Sequence, residues 1–231
     1  MKRFNDFLNE DVDNDDTLKV LMLNCTLKAS GESNTEALMK RVEEIYDEHE
    51  QDVDVEMVRV AEYKLGFGNT VEKTDDDDQF PELYEKMKSA DIILIGTAIW
   101  FGERTSITQI LFERLIGAYS DPNDLGQPKL YNKVAGVVIT GNEDGVHGVA
   151  SLTLFNLAHL GCTIPPNADC YWVGDAGPGA SYIEAGGDKH HYTNKGAYFL
   201  VANTIHACNI VKENPFKTNL TELEETAKKF S

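Results

Sequence analysis

The stretch N-C-T-L-K-A-S-G-E-S-N-T, residues 24 to 35, places hydroxyls, amides and one glycine between an apolar run and a helix-like segment. Thr26, Ser30, Ser33, Asn34 and Thr35 offer hydroxyl and amide donors. A helix beginning near Ser33 adds free backbone N–H groups carrying partial positive charge. That donor set suits a phosphate monoester, with Lys28 the only cation in the loop. It suits an ordinary capped loop equally well. Neither G-x-x-x-x-G-K-S/T nor G-x-G-x-x-G occurs here, which excludes a Walker triphosphate loop and the dinucleotide fingerprint at this turn.

Two further stretches carry chemistry. In T-A-I-W-F-G-E-R-T-S, residues 97 to 106, Trp100 and Phe101 follow an apolar run and precede Gly102. Aromatics are most often core residues. At a strand end beside a crevice, a planar ligand explains them better, with Gly102 permitting close backbone approach. In T-G-N-E-D-G-V-H-G, residues 140 to 148, glycines surround amide, carboxylate and imidazole groups. Backbone N–H groups there suit the polar edge of a heterocycle, and His147 is either a proton donor or a surface histidine without a role. Asp188, His190 and His191 lack a recognised ligand spacing, so no metal is expected. Cys25 reads as a thiol activated by a helix N-terminus or as a small packing residue.

These stretches need a scaffold, and the hydropathy pattern supplies one. Strands are expected over 18–24, 53–60, 91–96, 133–140 and 168–173. Helices are expected over 33–50, 81–89, from Ser106 past Leu115, over 148–160 and over 194–212. Ser33 and Glu36 form an S-x-x-E capping box, and Gly161 stops the fourth helix. The acidic run 72–78 reads as a solvated loop. Strands alternating with helices imply an α/β fold with a parallel sheet, whose ligands bind beyond the carboxyl ends of the strands. All three polar stretches follow strands. Residues 1–16 read as an acidic, disordered arm, and 17–231 as a single domain with a C-terminal extension from about 174.

Composition narrows the partners. The chain has 231 residues, 42% of them hydrophobic, with Lys+Arg 21 against Asp+Glu 39 and a net charge of −18. That balance argues against nucleic acid and anionic membranes, which require basic surface. Four cysteines without a C-x-x-C pair and a start lacking a signal-like apolar core lead us to expect a reducing cytoplasm.

In order and in register, L-N-C-T-L-K-A-S-G-E-S-N-T, A-D-I-I-L-I-G-T-A-I-W-F-G-E-R-T-S and T-G-N-E-D-G-V-H-G resemble the flavodoxin-like superfamily, and within it the NADPH-dependent FMN reductases, over roughly residues 18 to 175. The resemblance implies a doubly wound five-stranded sheet of order 2-1-3-4-5 and FMN as cofactor, with NADPH or NADH as reductant. It implies that Thr26, Lys28, Ser33, Asn34 and Thr35 surround the FMN phosphate. Thr97, Ala98, Trp100, Phe101 and Gly102 would line the isoalloxazine; Thr140, Gly141, Asn142, Gly145 and Gly148 would hold its pyrimidine edge. The chain departs from the family in having T-L-K where a Pro-x-Arg pattern is frequent, and Ala98 where proline is frequent. The implied activity is ping-pong hydride transfer to a quinone or other small acceptor, with His147 the candidate proton donor, in a homo-oligomer. The alternative is a flavodoxin-type electron carrier binding a redox protein. A receiver domain is discounted, because Asn24 and Thr97 stand where its acidic residues belong.

Overall fold

A computed structural model describes residues 17–177 and 179–230; the expected acidic arm lies outside them. The central strands are β1 (Leu18–Asn24), β2 (Val53–Arg59), β3 (Ile92–Trp100), β5 (Val134–Gly141) and β6 (Asp169–Val173). They pair in parallel in the order β2-β1-β3-β5-β6. A two-residue strand, β4 (Glu103–Arg104), folds back antiparallel on β3. With β4 set aside, the order is the expected 2-1-3-4-5.

The pleat of β1 explains the layers. Leu18, Val20 and Met22 face one side, where they pack with α1 (Asn34–Asp47) and α5 (His191–Glu213). Leu21 and Leu23 face the other side, toward α2 (Phe80–Ser89), α3 (Ser106–Leu115) and α4 (Val146–His159). Every β3 residue from Ile92 to Thr97 is buried, as a central strand covered on both faces requires. The polar connections after β1, β3 and β5 therefore gather at one edge of the sheet.

Several boundaries differ from expectation. β3 runs four residues beyond Gly96, because Thr97 and Ala98 still pair with β5 and Trp100 pairs with Glu103. The hairpin between β3 and β4 turns on Phe101 and Gly102, both at positive φ (52° and 78°), as a two-residue turn of the primed type needs. Nothing in F-G advertises it as N-G would. Thr105, not Ser106, caps α3 by accepting the Thr108 N–H. α4 begins at Val146, two residues early, and a short peripheral helix, α6 (Leu220–Ala227), was not expected.

The acidic run is corrected at its last residue. Asp78 is completely buried and paired with the equally buried Arg114 at 2.7 Å. Arg114 also donates to the carbonyls of Gly66, Thr70 and Glu72 and lies over the Phe80 ring. One ion pair thus anchors the long connection between β2 and α2 onto α3.

Candidate active site

The three polar connections enclose a cavity of about 430 Å³ at the carboxyl edge of the sheet. Thr26, Lys28, Ser33, Asn34 and Thr35 line it from the first connection, Ala98 and Trp100 from the second, and Thr140, Gly141 and Asn142 from the third. Ten of the expected binding residues are therefore brought together.

Local chemistry accounts for the first wall. Asn24 accepts the Thr26 N–H at 3.1 Å, starting the turn out of β1. Ser33 caps α1, its hydroxyl accepting the Glu36 N–H at 3.2 Å. The capping box is only half made among the described residues: the Glu36 carboxylate turns instead to Arg59, Lys40 and Asn24. Lys28 reaches back to the Glu32 carbonyl at 3.0 Å, holding its charge at the loop. The first and third walls are joined by a 2.9 Å hydrogen bond between the Thr35 and Thr140 hydroxyls.

The second and third walls touch through glycine. A Cβ on Gly145 (φ 117°) would lie 2.7 Å from the Gly102 Cα, so no side chain fits between these turns. The Gly102 N–H donates to the Glu143 carboxylate at 3.3 Å. Gly102 and Gly145 thus serve the packing of one loop on another and do not line the cavity. Phe101 sits at the hairpin tip, 97% exposed, beyond the cavity lining, while Trp100 is 53% exposed at its rim.

Other expected residues are placed elsewhere. Thr97 is buried beneath the hairpin, its hydroxyl accepting from the Thr105 N–H and the Thr108 hydroxyl. Gly148 lies in the first turn of α4, outside the lining. His147, in the same turn, packs edge-on against Tyr171 at 6.0 Å and also stands outside the cavity. Cys25 is fully buried, and burial pushes its thiol up to about 12, so the packing role replaces the activated-thiol reading.

Seven lining residues were not among the expected binding residues: Leu27, Ile99, Glu143, Trp172, Gly177, Ser181 and Tyr182. Trp172 comes from β6 and packs edge-on against Tyr182 at 5.8 Å. The segment that carries Ser181 and Tyr182 is tied across the cavity by two asparagines. Asn142 donates its amide to the carbonyls of Gly179 and Ala180, and Asn34 accepts the Ile183 N–H at 3.0 Å. Asn34 and Asn142 therefore position a fourth wall as well as lining the first and third. The glycine-rich stretch 174–182, with Tyr182, reads from sequence as a loop that closes a pocket or builds a subunit interface, and the structure puts it on the cavity. Its individual contacts were not legible, because the wall lies about 150 residues from the first loop.

The donor set meets a test of fit to FMN. The cavity offers hydroxyls, the α1 N-terminus and Lys28, which suit a phosphate. The same cavity also offers Trp100, Trp172 and Ala98, which suit a flat, largely apolar ring system.

A parallel doubly wound sheet with such a cavity at its carboxyl edge defines a flavodoxin-like flavoprotein. Residues 18–175 match the family described as NADPH-dependent FMN reductase, and the chain belongs to that family. It is similar to 8-demethyl-8-aminoriboflavin-5'-phosphate synthase of Streptomyces davaonensis, 39% identical over 223 residues, 93% of this chain and 86% of that one. The crystal structure of RosB with bound 8-demethyl-8-formylriboflavin-5'-phosphate superposes with a TM-score of 0.82 at 38% identity, covering 93% of this chain and 88% of that one. A divalent metal cation transporter, MntH, of Mycobacterium bovis is 37% identical over 203 residues, but the chain spans only 29% of its length. No helix among the described residues is long and apolar enough to cross a membrane. The protein is an FMN-dependent oxidoreductase that uses NAD(P)H as reductant.

Proposed function

We propose that the chain is a ping-pong reductase, passing reducing equivalents from NAD(P)H to a quinone or another small oxidised acceptor. FMN, when bound, supplies reversible two-electron chemistry. In this reading Thr26, Lys28, Ser33 and Thr35 bind the phosphate, and the first N–H groups of α1 add their partial charge. Trp100, Ala98 and Trp172 hold the ring, and Thr140, Gly141 and Asn142 meet its polar edge. The carrying observation is the single cavity that joins the α1 N-terminus to the half-exposed Trp100, leaving a rim where two small substrates can alternate. A homo-oligomer in a reducing cytoplasm belongs to the same reading, supported by Ile116, Tyr119 and Phe155 exposed on the α3–α4 face and by four buried free thiols.

A second reading is favoured by the 39% identity over nearly the whole chain. There the flavin phosphate is itself a substrate, altered at carbon 8 of its benzenoid edge. One experiment separates the two. Protein stripped of flavin is given substoichiometric FMN, NADH or NADPH, and a quinone, and the flavin is recovered for mass analysis. Many turnovers of nicotinamide oxidation with unchanged FMN support the reductase. Consumed FMN with a shifted mass supports flavin modification and overturns the first reading.

A further inference from the structure

The 26–35 connection is a wall with two faces. Thr26, Lys28, Ser33 and Thr35 line the flavin cavity, while Ser30, Gly31 and Glu36 line a polar groove behind it together with Arg59 and Lys40. Arg59 ends β2, and its side chain is only 12% exposed. Its guanidinium donates to the Gly31 carbonyl at 2.9 Å and pairs with Glu36. Glu36 in turn accepts from Asn24 at 3.5 Å, and Asn24 holds the Thr26 N–H. From one point on β2, Arg59 reaches both ends of the loop.

Two consequences follow from elementary geometry and charge. In a trans peptide the C=O and the next N–H point in opposite directions. Holding the Gly31 carbonyl toward β2 therefore turns the Glu32 N–H away from β2, as a bound anion on the far face requires. Gly31 has φ 82°, a conformation glycine adopts freely, so an outside contact is needed to fix that peptide. Glu36 also sits in the first turn of α1, where the helix would receive the phosphate. Without Arg59 its carboxylate would keep only the exposed Lys40 as a cationic partner, leaving more of its negative charge uncompensated behind that site.

We propose that Arg59 is a positioning residue for the flavin 5'-phosphate, acting through Gly31 and Glu36 without touching the ligand. This rests on reading the cavity as an FMN site. Its signature is selective: phosphate recognition should suffer while ring recognition does not.

The test titrates FMN and riboflavin into flavin-stripped wild type, Arg59→Gln, Arg59→Lys and the double variant Arg59→Gln/Glu36→Gln, read by fluorescence quenching. The wild type should prefer FMN. Arg59→Gln should weaken FMN binding about tenfold and leave riboflavin within about twofold, the scale of one charge-assisted contact. The double variant should recover part of the loss. An unchanged FMN-to-riboflavin ratio in Arg59→Gln, or equal losses for both ligands, overturns the proposal. Should Arg59→Gln not fold, Arg59→Lys decides: an intermediate, FMN-selective loss supports the role, since lysine keeps the charge without the fork, and an unchanged ratio overturns it. A wild type with no preference for FMN overturns the phosphate reading itself, and this inference with it.

Discussion

At the scale of single residues, the first connection carries two kinds of duty at once. The Ser33 hydroxyl satisfies the Glu36 N–H, and the Thr35 hydroxyl is bonded to Thr140. Removing the first weakens α1 by about 1 kcal/mol, the usual worth of an N-cap. Removing both should also strip two hydroxyl donors from the cavity wall proposed to hold the phosphate. We expect the Ser33→Ala/Thr35→Ala variant to bind FMN at least about tenfold more weakly, each contact to a charged group being worth about 1.5–3 kcal/mol. Calorimetric titration with a parallel thermal melt checks this, and undiminished affinity would make the stretch a capped loop and nothing more. Residue types along 26–35 were legible because they lie together in sequence. Thr97 shows the limit. Its type suits a ligand contact, but Thr105 and Thr108 take its hydroxyl, and that competition exists only once the hairpin has folded.

Among the elements, parallel strands and their crossover helices were legible because buried runs of five to eight apolar residues leave little alternative. Connections were less so. The run E-K-T-D-D-D-D looks uniformly solvated, yet Asp78 is drawn inside by a partner 36 residues away. Burial opposes its ionisation, but the N–H groups of Phe80, Thr74 and Gly66 and the Thr74 hydroxyl outweigh it, holding the carboxyl well below its usual range. A carboxyl lowered on folding contributes stability that is complete above its unfolded value, about 3.9. That contribution drains as pH falls from there toward the folded value. Urea unfolding across a pH series should show this loss in wild type and a flatter acid limb in Asp78→Asn. Arg114→Leu leaves the carboxylate buried with its N–H and hydroxyl donors but without a countercharge. At neutral pH it should cost about 3–5 kcal/mol, far more than any exposed pair on the surface. A cost under about 1 kcal/mol would show that water replaces the guanidinium.

For the whole molecule, the question is which part of the long C-terminal region belongs to the fold. From sequence it reads as an addition beyond the fifth strand, and its glycine-rich start encourages that view. Packing divides it. α5 buries Ala197, Leu200, Val201, Ile205 and Cys208 against β5, β6 and α1, and Tyr46 meets Thr204 through a 2.6 Å hydroxyl bond. Fully burying each large aliphatic side chain contributes about 1.5–3 kcal/mol. Losing several together, with the face of β5 and β6 beneath them exposed, is comparable to the roughly 5–15 kcal/mol of net stability a domain holds. α6, by contrast, buries no side chain and is tied mainly through Leu220 to Leu125 and through Gln127 to the carbonyls of Phe216 and Thr218. Water can stand in for those partners at the Gln127 amide and the Leu125 carbonyl at a cost of about 1 kcal/mol each. Truncation after Val173 should therefore give a chain without a cooperative melt, whereas truncation after Asn214 should keep the fold and lower the melting temperature by roughly 2–4 °C. The second truncation should also retain FMN binding, since none of the cavity's lining lies beyond Tyr182. A folded, flavin-binding chain ending at Val173 would show that α1 alone covers that face of the sheet, and that α5 is an addition after all.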